Sequence, residues 1–321
     1  MQALWMGILS FLFAPILTAA TVMTVSFDAS EMRVVRETLA RDLKKHKHVE
    51  FLIDKNSDYA QFIGALEKNR PDFVALLDNK AVNFMKRLEE EKKPENLARI
   101  QAAATMALNL RNVLQGSTRI CGIHYEVPAF TIITRFRSLM QRTITRVLAP
   151  YRASEFEWMI SEARQQLQKE GIELIGVDVE ANGREQEAIN KLVETILSDE
   201  HAGRKIDAIL VPTDNVILNK EAFTAIWLRK ARSLKVPFLC NIEKFASKDF
   251  DFCTFAAYPD LVALGHQLAE QINEVLENGS SVKDLGVDYI IGVQEALNLS
   301  RARALDLPMR SDRIEAVERV E

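Results

Sequence analysis

Cysteine is scarce in this 321-residue chain: three residues are too few for the disulfide framework of a small secreted domain. Glycine, at 12, and proline, at 9, are sparse as well, which excludes a collagen-like or linker-rich chain. A basic surplus is also missing. Lys plus Arg total 41 against 45 Asp plus Glu, a net charge of −4, so the chain lacks the electrostatic footprint of a nucleic-acid module. Phosphate-cradling loops of the GxGxxG or GxxxxGKS/T kind do not occur, and neither does GxSxG. The five His residues show no paired metal-ligand spacing, so neither a metal nor a cofactor is expected. No nucleophile–base pair with recognisable spacing is found, which argues against an enzyme. What is present is ordinary for a globular protein: 48% hydrophobic and 27% charged residues. The length suits about two domains.

The N-terminus is the exception. Ala3 to Ala20 carry no charge, and the first charged side chain is Asp28. The run ends in small residues, with Thr18 and Ala20 at the −3 and −1 positions of a signal-peptide cleavage site. Residues 1–20 therefore read as a secretory leader, although Met1-Gln2 supplies no Lys or Arg. An uncleaved anchor is the competing reading, because the run approaches spanning length; Pro15 and the small tail favour cleavage. No later segment is long and apolar enough to span a bilayer, so a periplasmic protein is expected, meeting the membrane only through a partner. Cys240 and Cys253 lie on successive apolar runs, which leaves a bridge between them open. The favoured reading is that all three cysteines are small buried hydrophobes.

Beyond the leader, strand-like and helix-like patterns alternate. Thr21–Phe27, Val49–Ile53, Asp72–Leu77 and Arg119–Tyr125 read as strands of a first half, with 96–115 as one helix. In the second half, 144–148, 172–179, 206–211, 236–240 and 252–256 read as strands, followed by a last strand over 287–293 and a last helix over 295–305. Ser154, with Glu157 three residues on, reads as the capping box of a helix. Such β-α-β-α alternation predicts an α/β fold of two doubly wound, parallel-sheet lobes. The boundaries are set at 21–124 plus 257–284 for lobe one, 128–254 plus 286–309 for lobe two, and 310–321 for a C-terminal tail.

In open parallel sheets, ligands bind beyond the carboxyl ends of the strands. The residues just after each strand are therefore the candidate ligand contacts. Lobe one offers Phe27, Asp28, Asp78 and Asn79; lobe two offers Tyr151, Ser154, Thr213, Asp214 and Asn215, with Tyr258 near a crossing. These polar and aromatic side chains suit a small polar ligand. In Asp207–Asn215 (DAILVPTDN) a buried strand runs straight into three polar residues. Asp214 there could pair with a ligand ammonium or cap a turn, and the residues alone weigh the two about evenly. Glu126, at the first crossing, reads as a hinge salt bridge or an exposed residue rather than a cleft residue.

The order of several segments resembles the type I periplasmic solute-binding proteins of ABC transporters, in the branch that includes tryptophan- and tyrosine-binding members. The segments are ITRVLAPYRASEFEWMISEARQQLQKEGIELIGVDV, DAILVPTDN, KVPFLCN, AAYPDLVALGHQLAEQINEVLENG and NLSRARALDLPM, over residues 130–309. Tyr258 and Gly265, in a Tyr-x6-Gly spacing, are among the more specific parts. The resemblance implies two lobes joined by three hinge crossings and closing on a ligand, with Asp214 meeting the ammonium of an amino-acid-like ligand. It also implies delivery to an ABC permease. The alternative is a periplasmic sensing module for a membrane signalling protein such as a diguanylate cyclase or histidine kinase. The chain departs from the family after the third strand, where Asp78-Asn79-Lys80 replaces a small neutral turn, and at Pro150–Ser154, which replaces an Asn-Pro-like loop. A carboxylate at Asp78 would repel a ligand carboxylate unless Lys80 or Arg152 compensates, and the two departures leave a cationic ligand as open as an aromatic amino acid.

Overall fold

The computed structural model describes residues 19–91 and 95–321. Residues 1–18, which carry nearly all of the expected leader, lie outside the described residues. The chain enters its first sheet through β1 (Thr21–Phe27), β2 (Lys47–Ile53), β3 (Phe73–Leu77), β4 (Gln101–Thr105) and β5 (Ile120–His124). It crosses to a second sheet for β6 (Arg146–Tyr151) and β7 (Glu173–Asp178), makes a small hairpin of β8 (Glu200–His201) and β9 (Arg204–Lys205), and continues with β10 (Ala208–Leu210), β11 (Phe238–Cys240) and β12 (Phe255–Pro259). It returns to the first sheet for β13 (Val287–Tyr289) and ends in the second with β14 (Val293–Leu297) and β15 (Arg319–Val320). The sheet orders are β13-β5-β4-β3-β1-β2 and β15-β14-β12-β11-β10-β6-β7. The first is wholly parallel; in the second only the β12–β14 pairing is antiparallel. The fold is α/β, with two doubly wound lobes joined by three crossings.

The two-residue period of a strand explains how each sheet is covered on both faces. In β1, Val22 turns to the helices Ser30–Asp42 and Leu261–Leu276, while Met23 and Val25 turn to the helices Tyr59–Asn69 and Asn79–Glu90. In the second sheet, Val147 and Ala149 face Ala129–Leu139 and Ala153–Lys169, and Leu148 faces the core around Trp227. Gly265 lets two helices meet closely: a Cβ there would stand 2.7 Å from the Cβ of Thr38. Asp58 begins the Tyr59–Asn69 helix with a complete capping box, each partner of Asp58 and Gln61 bonding the other's backbone N–H.

Several local expectations need correction. The helix expected over 96–115 is a short helix, Glu95–Ala98, then strand β4, then a turn of helix at Leu110–Val113. The run Gln-Ala-Ala-Ala-Thr has strong helix propensity, yet it is buried between β3 and β5, where tertiary pairing overrides propensity. The strand expected over 287–293 is two strands in different sheets, separated by the third crossing, and 295–297 is strand rather than helix. The lobe boundaries at 257 and 286 move accordingly: β12 stays in the second sheet to Pro259, and β13 belongs to the first. The end of the expected tail pairs with β14 through Arg319 and Val320. Ser154 is not a cap, since Arg152 precedes the helix and Ser154 lies inside its first turn. Cys240 and Cys253 form a disulfide, their Cα atoms 6.3 Å apart, and only Cys121 is a free, buried thiol.

Candidate functional site

The loops after the strands of both sheets meet in a cavity of about 640 Å³. Met32, Met106 and Leu108 form its wall from the first lobe, Thr213, Asn215 and Asn241 that from the second, with Tyr125 at the first crossing and Tyr258 near the end of β12, just before the second. Across this cleft, Glu31 of the first lobe and Lys244 of the second approach to 3.8 Å as an exposed ion pair. Such a pair contributes little net stability. Burial raises the Tyr125 phenol, and raises that of Tyr258 to about 12, so both rings enter the cleft neutral, as hydroxyl-bearing apolar surfaces.

The candidate residues divide by position. Thr213, Asn215 and Tyr258 line the cleft. Thr213 donates its hydroxyl to Asn241 Oδ1 at 2.5 Å, joining the loops after β10 and β11. Tyr151 is buried beside the cleft, in a smaller apolar cavity of about 50 Å³ that shares Thr213 and Asn241 with it. Its hydroxyl donates to Glu157 Oε2 at 2.5 Å.

Asp214 is 3% exposed and does not line the cleft. Its Oδ2 accepts from Arg152 Nε at 2.6 Å, and its Oδ1 accepts from the Val216 N–H at 2.8 Å. Its carboxylate therefore ties the Thr213–Asn215 turn to the start of the Ala153–Lys169 helix. The remaining candidates serve their own lobes. Asp78 is buried and caps the Asn79–Glu90 helix through the Ala81 N–H at 2.8 Å, with burial raising its carboxyl pKa. The amide of Asn79 clamps Leu108 from behind, donating to its carbonyl at 3.0 Å and accepting from its N–H at 2.9 Å. Lys80 donates to the Asp54 and Lys55 carbonyls. Phe27 packs against the core beneath the Lys80 ammonium. Asp28 is paired with Arg33 at 3.1 Å and Arg36 at 3.4 Å. Ser154 is exposed, its N–H donated to Glu180.

Residues that sequence reasoning missed come mostly from the loop after β4. Reading 96–115 as helix hid the fact that Met106–Asn109 lies at a strand's carboxyl end. Met106 and Asn109 both take left-handed backbone conformations, with φ 56° and 54°. That conformation is ordinary for Asn and costly for Met. Asn109 reaches across the lobe boundary: its Nδ2 donates to Glu155 Oε2 at 2.8 Å, and its Oδ1 accepts from Trp158 Nε1 at 3.3 Å. Its own N–H is bound by Glu126, which is neither exposed nor salt-bridged but 3% exposed, with a carboxyl pKa pushed up to about 7 by burial. The His124 ring stacks on Tyr289 and meets Trp158 at a tilt, and burial lowers its pKa to about 4.

No protein family matches the sequence by its profile, and no curated protein matches it. Solved structures do match the fold. An ABC domain from Streptococcus pneumonia in complex with L-Trp superposes with a TM-score of 0.59 at 17% identity, covering 94% of this chain and 100% of that one. A ligand-free, open substrate-binding protein with adhesive properties from Clostridium difficile gives a TM-score of 0.63 at 14% identity, covering 94% and 99%. A periplasmic ribose ABC transporter protein from Conexibacter woesei gives 0.50 at 16%, covering 90% and 95%. The fold of this chain is that of the two-lobed type I periplasmic binding proteins of ABC transporters.

Proposed function

We propose that the protein is an exported, non-enzymatic solute-binding protein that closes its lobes on a small polar, amino-acid-like ligand and delivers it to an ABC permease. The observation that carries this reading is the cleft of about 640 Å³, walled by both lobes and by tyrosines at and near the crossings. That volume is within the usual range of small-molecule sites, and its lining mixes apolar side chains with hydroxyl and amide groups and with the charged Glu31, Glu243, Lys244 and Asp260. Thr213, Asn215, Asn241 and Tyr258 are the proposed ligand contacts, with Tyr151 behind them. Asp214 and Asn79 act one step back, holding the turn and the wall that carry those contacts. Hinge closure is the motion such a two-lobed frame supports.

Two observations support export. A disulfide such as Cys240–Cys253 persists in oxidising compartments. Cleavage after Ala20 would also start the chain at Thr21, whose backbone nitrogen lies 2.7 Å from Asp72 Oδ2, so the new ammonium would find a carboxylate. Among the described residues no helix is long and apolar enough to cross a membrane.

A thermal-shift screen of amino acids, amines and small polar metabolites on the chain from Thr21 onward tests the reading. At about 100 times Kd a true ligand stabilises the fold by about 2.7 kcal/mol. That stabilisation is expected to shrink in Thr213→Val and Tyr258→Ala. A broad library without a hit, or hits indifferent to both substitutions, would overturn it.

A further inference from the structure

On the hinge side of the molecule lies a second crevice, of about 210 Å³, which shares no lining residue with the cleft. All three levels of the frame contribute: Phe130 and Thr131 from the helix after the first crossing, Glu162 from the Ala153–Lys169 helix, and Tyr289 from the third crossing. Two carboxyl groups, Glu126 and Glu162, line it, and among the described residues no Lys or Arg does.

The two carboxyls are not equivalent. Glu162 accepts from the Tyr289 hydroxyl at 2.5 Å and from Gln166 at 3.3 Å, and retains lone pairs for further donors. Glu126 is 3% exposed, and only its Oε1 is bonded, to the Asn109 N–H. Its Oε2 is buried with no partner among the described residues. An unsatisfied buried carboxyl oxygen costs free energy, and a donor placed against it recovers that cost. The crevice supplies the rest of a cation's surroundings: a second carboxylate, and the rings of Phe130 and Tyr289 in its wall, whose faces attract ammonium groups. Its apolar part, with Met159 and Ala163, suits a short methylene chain.

We propose that this hinge crevice is a second binding site, taking a primary alkylammonium cation whose charged end is held by Glu126 and Glu162. Because its walls come from the second lobe, from the first and third crossings and, through Tyr289 at the end of β13, from the first sheet, the occupant would bridge the lobes and favour the closed arrangement.

Titration calorimetry of the folded chain with 1,4-diaminobutane at fixed ionic strength, above pH 7 where Glu126 is ionised, tests this, with 1,4-butanediol as the uncharged control. The diamine is expected to bind saturably and the diol not to bind. Glu126→Gln, which keeps the acceptor for the Asn109 N–H, should weaken the diamine by at least about tenfold. Glu162→Gln should do the same and stands in if the first variant does not fold. Thr213→Val, in the main cleft, should leave diamine affinity unchanged. No saturable binding, equal binding of the diol, or affinity indifferent to both Glu substitutions would overturn the proposal. Loss of binding in Thr213→Val alone would place the diamine in the main cleft, overturning this site while sparing the cleft reading.

Discussion

His124 of the first lobe and Trp158 of the second stack across the lobe boundary with ring centroids 5.2 Å apart. Tyr289, paired beside His124 in β13, stacks on the His124 ring at 5.1 Å, and the Arg111 guanidinium lies 5.0 Å from the Trp158 ring. With the Asn109–Glu155 hydrogen bond, this cluster joins the first lobe to the second.

An aromatic pair of this kind contributes about 0.5–1.5 kcal/mol beyond its buried area. Trp158→Ala is therefore expected to shift the lobes toward an open arrangement, by about fivefold in population. Small-angle scattering without ligand should show a larger radius of gyration than the parent, and addition of ligand should reverse it. Identical scattering from both proteins would mean that the stack does not hold the lobes together.

The same cluster sets two opposed pH dependences. His124 has its pKa lowered from 6.5 to about 4, so the unfolded chain binds the extra proton; its contribution is complete above pH 6.5 and is lost as pH falls toward 4. Glu126 has its pKa raised from 4.5 to about 7, so the folded chain holds the extra proton; its contribution is complete below pH 4.5 and is lost as pH rises toward 7. Each amounts to about 3 kcal/mol over its window, and in the parent the slopes oppose one another. Relative to the parent, Glu126→Gln should gain stability as pH rises from 4.5 to 7. His124→Phe, which keeps a stacking ring, should lose it from pH 4 to 6.5. Urea denaturation at a series of pH values reads both differences. Curves that run parallel to the parent in both variants would remove these two groups from the pH response.

How much of this was legible in the sequence depended on whether a residue's partner was local. Strand β3, with five buried apolar residues, declares itself within a few positions, whereas the capping box expected at Ser154 stands at Asp58 instead. The PTDN turn could be placed at the end of a buried strand for the same reason. Strand β4 could not, because Gln-Ala-Ala-Ala-Thr becomes a strand only through neighbours at β3 and β5. Asp214 was readable as a cap or a ligand contact, but not as the partner of Arg152, which lies 62 positions away in the chain. Glu126 shows the same limit: its hydrogen-bond partner is the Asn109 N–H, set in place by the loop that the missed strand begins.

The Cys240–Cys253 bridge closes a short loop, at a sequence separation of 13, and ties the end of β11 to the segment before β12. Loop-closure entropy assigns a bridge of this span about 3 kcal/mol. Phe252, fully buried beside Cys253, is in the aromatic cluster this loop carries, with Phe223 at 4.9 Å and Phe245 at 5.3 Å. Reduction, or the paired substitution of both cysteines by Ala, should lower the melting temperature while leaving the first lobe's far-UV signal in place at moderate temperature. A melting temperature unchanged by reduction, with free thiols counted to confirm it, would show that the bridge adds nothing to stability.

Asp214 offers the sharpest separation between holding the site and touching the ligand. Asp214→Asn keeps the oxygen that accepts from Val216 and gives up the ion pair with Arg152, whose side chain is only 18% exposed. Leaving a partly buried guanidinium against a neutral amide should cost about 1–3 kcal/mol. Asp214→Ala also frees the turn's N–H and should cost a further 0.5–2 kcal/mol or so, as lost caps do. A double-mutant cycle with Arg152→Gln should then recover a coupling energy of about 1 kcal/mol or more. Ligand affinity should fall less in Asp214→Asn than in Thr213→Val, since Asp214 lies behind the cleft surface and acts only through the turn it holds. The opposite pattern, with melting and the Arg152 coupling near zero and affinity down thirtyfold or so, would mean that Asp214 leaves Arg152 when ligand arrives and meets the ligand itself.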